Sequence, residues 1–229
     1  MILSDVEWQA VELSLKVSAV AVAASLPFGI FLAWLLARCQ FRGKALLDSL
    51  IHLPLVLPPV VVGYLLLLSL GRRGWIGAWL YDWFGFSFAF SWRGAALAAA
   101  VVALPLMVRA IRLALEAVDP KLEQAARTLG AGRWRVFFTI TLPLTLPGLI
   151  AGTVLAFARS LGEFGATITF VSNIPGETRT IPLAMFTLLE TPGAEGNAAR
   201  LCLIAIALAL ISLLLSEWLA RWGRKRLGG

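Results

Sequence analysis

Five apolar stretches, each long enough to cross a membrane, set the limits on what this chain can become. They run over residues 11–37, 45–70, 94–118, 146–170 and 198–222. At 1.5 Å of rise per residue, each spans a hydrocarbon layer of about 30 Å with some tilt. Inside that layer every backbone polar group has to be satisfied within the segment, which leaves the helix as the spanning conformation. The expectation is an all-α polytopic membrane protein with about five transmembrane helices. Composition agrees: 14% of residues are charged and mean hydropathy is +0.85, against about 25% charged residues in a soluble domain. A secretory leader is not expected, because Asp5 and Glu7 occupy the place of a basic n-region and the first stretch is too long for an h-region.

The basic residues argue for topology. The net charge of +7 sits at the ends of the stretches and not along one amphipathic face, so nucleic acid is not an expected partner. Arg38, Arg42 and Lys44 form one cluster; Arg109, Arg112, Lys121, Arg127, Arg133 and Arg135 a second; Arg221, Arg224, Lys225 and Arg226 a third. If the spans alternate, all three share one side. The other side carries Lys16, Arg72, Arg73, Arg93, Arg179 and Arg200 more thinly. Positive charge concentrates on the cytoplasmic side, which predicts an outside N-terminus and a cytoplasmic C-terminus. Cys39 and Cys202 then lie near opposite faces and cannot approach within the roughly 7 Å that a disulfide requires; both are expected as buried thiols.

Prolines mark where the spans depart from straight rods. Pro27, Pro54, Pro58, Pro59, Pro105 and Pro147 fall within or at the ends of the stretches. The second span is therefore expected not to be a straight lipid-facing helix, since freed carbonyls need neighbouring helices or a water-filled path. Two outer loops are substantial. Residues 71–93 are rich in glycine and aromatics, as an interfacial belt would be, and residues 171–197 hold a short helical candidate at Ile181–Leu189. Internal repeats are not evident, so any symmetry the chain uses has to come from a second copy of it.

Between the third and fourth stretches lies a water-compatible insert over residues 119–138. Asp119 and Pro120 read as a helix cap and first turn, with Glu123 where the helix dipole favours an acid. Leu122, Ala125, Ala126 and Leu129 make a small apolar face; Gly130 and Gly132 interrupt the helix; Trp134, Phe137 and Phe138 begin a second short piece leading to Pro143. Two short helices at an angle would make a knob suited to a cleft in a soluble partner. On composition alone a simple helix–turn–helix connector fits as well.

The spacing within this insert resembles the EAA loop of ABC importer permeases, on which a partner ATPase sits. Gln124, Ala125 and Ala126 are followed at the family intervals by Gly130, Ile140, Leu142 and Pro143. Gln124 stands where the family has Glu, with an acid one place earlier at Glu123, so both are candidates for the polar contact to the ATPase. The run from Leu53 to Tyr64 and the run from Phe157 to Thr167 look like spans of molybdate- and sulfate-type permeases, the molybdate type most of all. The resemblance implies a type I importer permease in a bacterial inner membrane: one transmembrane domain over residues 1–229, acting as a homodimer. It further implies two ATPase subunits, docked on the 119–143 loop and carrying ATP and Mg, and a periplasmic molybdate-binding protein. Tungstate or sulfate is the alternative cargo. The chain lacks a phosphate loop, since Gly43-Lys44 is followed by Ala without the upstream glycine, so it is expected to be a transport subunit and not an enzyme, with no cofactor of its own.

Candidate pathway residues are Arg159, Glu163, Pro58 and Pro59. Arg159 and Glu163 stand four apart, share a helix face and can pair. An ionisable group at mid-bilayer costs about 2.5–3.5 kcal/mol on insertion scales and turns inward or toward water. The pair either lines a path near a gate or is a self-satisfied packing contact. Gly148 and Gly152 permit close helix approach, within one subunit or between two. His52 is read as a hydrogen-bonded structural histidine, with no Cys, His or acidic companion at metal-ligand spacing. Arg72, Arg73 and Arg93 attract an anion, dock an acidic patch or flank spans. A standalone anion channel would need no docking loop, and a membrane enzyme would need a catalytic set that Arg159, Glu163 and His52 do not form.

Overall fold

The structure is a computed structural model in which residues 4–227 are described. Among them helix is the only regular secondary structure: α1 (Asp5–Arg38), α2 (Lys44–Val56), α3 (Pro59–Leu70), α4 (Gly77–Phe84), α5 (Trp92–Glu116), α6 (Pro120–Thr128), α7 (Arg133–Val136), a π-turn (Phe137–Thr141), α8 (Leu142–Leu161), α9 (Gly165–Val171), α10 (Ile181–Leu189) and α11 (Glu195–Leu227). Four of the described helical segments are long and apolar enough to cross a membrane, and α2 with α3, bent by 114°, is apolar enough to count as a fifth if the pair is taken as one broken span and not as a re-entrant loop.

The first span starts earlier than its apolar stretch because a capping box nucleates it: the Ser4 hydroxyl accepts the Glu7 N–H while the Glu7 carboxylate takes the Ser4 N–H at 2.7 Å. Pro27 sits inside α1 without ending it. The second span breaks where three residues force it to. Leu57 and Pro58 each precede a proline, are driven to extended backbone (ψ 142° and 133°), and Pro59 then restarts the chain at the head of α3. The expectation of a non-straight second span holds.

The fourth span corrects the sequence reading. It is not one helix over 146–170. It begins at Arg133, runs through the π-turn to Leu161, stops at Gly162, and resumes as α9. The predicted short helix at Ile181–Leu189 is α10, and the aromatic outer loop contains an additional helix, α4.

Small residues let the spans meet closely. One face of α5 carries Ala95, Ala96, Ala98, Ala99 and Val102, all buried, against α1 and α9. In a medium as apolar as the side chains, close backbone approach and dispersion hold helices together more than hydrophobic burial does. Gly148 and Gly152 of α8 face Ala114 and Ala110 of α5, so their small-residue spacing serves contact within the subunit. Cys39 and Cys202 are free but half-buried, not fully buried as expected.

The two ends of the bundle are chemically distinct. At one end Arg38 pairs with Glu123 and Arg112 with Asp48, both at 2.9 Å, which brings the first two basic clusters together. At the other, Arg200 meets Glu7, the Ile181 N–H donates to Ser14, and the Trp92 N–H donates to Glu177. The third basic cluster, Arg221 to Arg226, lies outside the described side chains.

Candidate functional site

The insert of residues 119–143 is held at the end of the bundle carrying the basic clusters. Asp119 caps α6, its Oδ1 accepting the Lys121 N–H at 2.9 Å, and Pro120 takes the first helical position. After Leu129 the chain reverses through Gly130 at φ +86°, and the Ala131 N–H closes back onto the Ala126 carbonyl at 3.0 Å. That is the glycine-dependent helix ending the sequence predicted. Gly132 then starts α7 with extended backbone. The second predicted short piece is not a separate helix: α7, the π-turn and α8 are continuous, so the knob is one short helix, α6, rooted on the extended end of the fourth span.

Exposure sorts the expected coupling residues. Gln124, Ala125, Leu129 and Gly130 face outward, and Leu129 is 88% exposed. Trp134 and Phe138, stacked at 6.3 Å between ring centroids, add apolar surface beside them. Ala126, Ile140, Leu142 and Pro143 are half-buried. Glu123 points back into the protein: its Oε1 accepts from Arg38 at 2.9 Å and from the Thr141 hydroxyl at 2.8 Å. Helix neighbours are turned about 100° apart, so of the two polar candidates Gln124 is the one on the open face. An exposed apolar cluster rimmed by polar and basic groups is the usual mark of a protein-docking surface.

The second candidate region is where the two broken spans cross. α3 packs on α9 with no room to spare: a Cβ on Gly63 would lie 2.5 Å from the Ala166 carbonyl oxygen, and one on Gly165 would lie 2.8 Å from the Pro59 Cβ. Pro58 is exposed at the break and Pro59 half-buried. Beside this crossing, Arg159 pairs with Glu163 at 2.7 Å, as their spacing predicted. The Glu163 side chain is 2% exposed, and its other oxygen accepts the Ala166 N–H at 2.9 Å, capping α9. Arg159 keeps 30% of its side chain open. The carboxylate is therefore satisfied, and the guanidinium is the half-available charge.

Other expected sites are placed differently. His52 is the hydrogen-bonded structural histidine expected: its Nδ1 lies 2.8 Å from the backbone carbonyl of Asp48, one turn earlier, and the Asp48 carboxylate, 3.1 Å away, also holds Arg112. The i, i+4 spacing was the available signal. Arg72 stacks on Tyr81 and bonds its hydroxyl at 2.7 Å, while Arg93 lies over Phe86 and Trp92. Both are tied to aromatic rings of the outer loop, and they remain exposed beside Arg73. A groove of about 530 Å³ lies between α8, α10 and α11, lined by apolar residues such as Leu161, Phe164, Met185, Phe186 and Ile206. It offers an anion no side-chain donor.

The family described as binding-protein-dependent transport system inner membrane component matches residues 25–228. The Molybdenum transport system permease protein ModB of Escherichia coli (strain K12) is 81% identical over 228 residues, covering 100% of both chains. Its namesake in Haemophilus influenzae is 68% identical over 97% of each. Among solved structures, a bacterial alginate ABC transporter in complex with its oligosaccharide-bound periplasmic protein aligns with a TM-score of 0.74 at 18% identity, covering 95% of this chain and 79% of that one.

Proposed function

The chain belongs to the inner membrane components of binding-protein-dependent transport systems, and from that premise we propose that it is the permease subunit of an ATP-driven molybdate importer. The observation that supports the importer reading is the open apolar patch on and beside α6, where Gln124, Leu129 and the neighbouring aromatics stand exposed at the basic end of the bundle. A channel acting alone has no use for such a surface. The choice of molybdate rests on the name shared by the two close relatives.

In this reading the N-terminus lies outside, the C-terminus lies in the cytoplasm, and two copies of the chain enclose a path between them. The half-open Arg159 supports that arrangement, because a guanidinium within a span is costly against lipid and is stabilised by a second subunit or by water. Two ATPase subunits, which carry ATP and Mg, sit under the 119–143 loops. ATP binding draws them together, the α6 helices move with them, and the spans rock to open the path outward. A periplasmic binding protein then delivers its anion, and hydrolysis returns the permease to the inward state. Nucleotide drives this cycle only through its different affinities for the two states. The bend at Pro58 and the helix break at Gly162 supply points at which span segments can tilt.

The test is reconstitution in proteoliposomes with the cognate ATPase and binding protein. Molybdate uptake should require ATP and both partners, and should exceed sulfate uptake at equal concentration. Anion flux through the chain alone would establish a channel instead, and preferential sulfate uptake would reassign the cargo.

A further inference from the structure

We propose that Glu123 is a positioning residue that clasps the coupling helix to the permease's own spans, and that it is not the contact to the ATPase. The proposal rests on the docking reading above and assigns a separate task to one residue of that site. Glu123 lies in the first turn of α6, yet its side chain is only 16% exposed while its neighbour Gln124 is open. One carboxylate oxygen, Oε1, accepts two bonds from two different spans. Arg38 comes from the last residue of α1, and Thr141 from the π-turn that heads α8. Among the described residues, Glu123 is the one side chain of α6 that an ion pair joins to a distant helix.

The surroundings favour a clasp over an incidental surface pair. Thr141 is 6% exposed, and its own carbonyl accepts the Thr145 hydroxyl at 2.9 Å, so the donor is locked to α8. The π-turn explains how Thr141 comes to face Glu123. Leu142 donates back five residues to Phe137, and this extra residue in the turn shifts the following side chains by about 100° around the helix. Pro143, which has no N–H to give, makes the wider turn inexpensive at that point. A charge-assisted bond shared at one oxygen is stronger than a screened surface pair. Mechanically, α6 is otherwise held by the chain at its two ends and by packing against α7 and the π-turn. Without a lateral tie it swings on those ends and dissipates a push. With the tie, displacement of α6 moves the end of the first span and the head of the fourth together.

Two measurements decide it. In the purified permease, hydrogen exchange reports whether α6 is tied down without needing any partner. Glu123→Ala and Thr141→Val should raise exchange of the α6 amides at least about five-fold, Glu123→Gln should do so less, and Gln124→Ala should leave it unchanged. In proteoliposomes with ATPase and binding protein, Glu123→Ala should lower molybdate moved per ATP hydrolysed about five-fold or more while hydrolysis and ATPase binding persist. Gln124→Ala should instead weaken ATPase binding. Exchanging the charges, Arg38→Glu with Glu123→Arg, should restore part of the ratio. Unchanged exchange overturns the clasp. Raised exchange with an unchanged transport ratio overturns its role in coupling. If the unaltered chain binds no ATPase, the docking reading fails, and the exchange arm still decides the clasp.

Discussion

At the scale of single residues, Glu163 shows how an expensive group is made affordable inside a membrane protein. Its carboxylate is buried, and each oxygen has a defined partner: the Arg159 guanidinium and the Ala166 N–H. Losing a hydrogen bond to a charged group costs about 1.5–3 kcal/mol, and Arg159, with 30% of its side chain open, is not left as a fully buried charge when Glu163 is removed. Glu163→Leu loses both the pair and the cap of α9, and its thermal unfolding in detergent should fall accordingly. Glu163→Gln retains an acceptor for Ala166 and should fall less. Equal melting of the two variants would show that the cap contributes nothing. The Arg159–Glu163 pairing was readable from its spacing. The cap was not, because it depends on a helix break that follows Glu163 in the chain.

At the scale of elements, the deciding features are terminations. The bend at Pro58–Pro59 follows from the residues themselves, since prolines dictate their own φ and the conformation of the residue before them. The break before α9 was missed because a single glycine, Gly162, is compatible with a continuous apolar span. The α6 turn lies between these cases: Gly130 was identified, and its φ of +86° shows why no other residue serves as well. Gly130→Val forces a β-branched side chain into that region at about 1–3 kcal/mol, whereas Gly130→Asn is more readily accommodated. A pull-down of the ATPase by membranes holding each variant should rank Gly130 above Asn and Asn above Val, with insertion unaffected. Normal binding and transport by Gly130→Val would refute the role of the turn. The predicted second coupling helix failed for a related reason: Trp134 to Thr141 is apolar enough to continue directly into the fourth span.

At the scale of the whole molecule, contacts between distant segments sort the loops onto two ends, with Arg38, Asp48, Arg112 and Glu123 at one and Glu7, Ser14, Glu177 and Arg200 at the other. In a background lacking Cys39 and Cys202, an impermeant thiol reagent should label Arg127→Cys only from the cytoplasmic side and Trp83→Cys only from outside. Labelling in the reverse sense would invert the topology. The sequence by itself determined the apolar stretches, the basic character of one end of the bundle, the position of the water-compatible insert and the family. Those properties are local: they follow from hydropathy, charge, proline and glycine within a few turns of helix. Only the tertiary structure decided that Glu123 turns inward while Gln124 faces out, that α3 and α9 touch through Gly63 and Gly165, and that Gly148 and Gly152 serve contacts within the subunit. Each of those outcomes depends on a partner supplied by a remote part of the chain, and no periodicity along one helix reveals what stands opposite it.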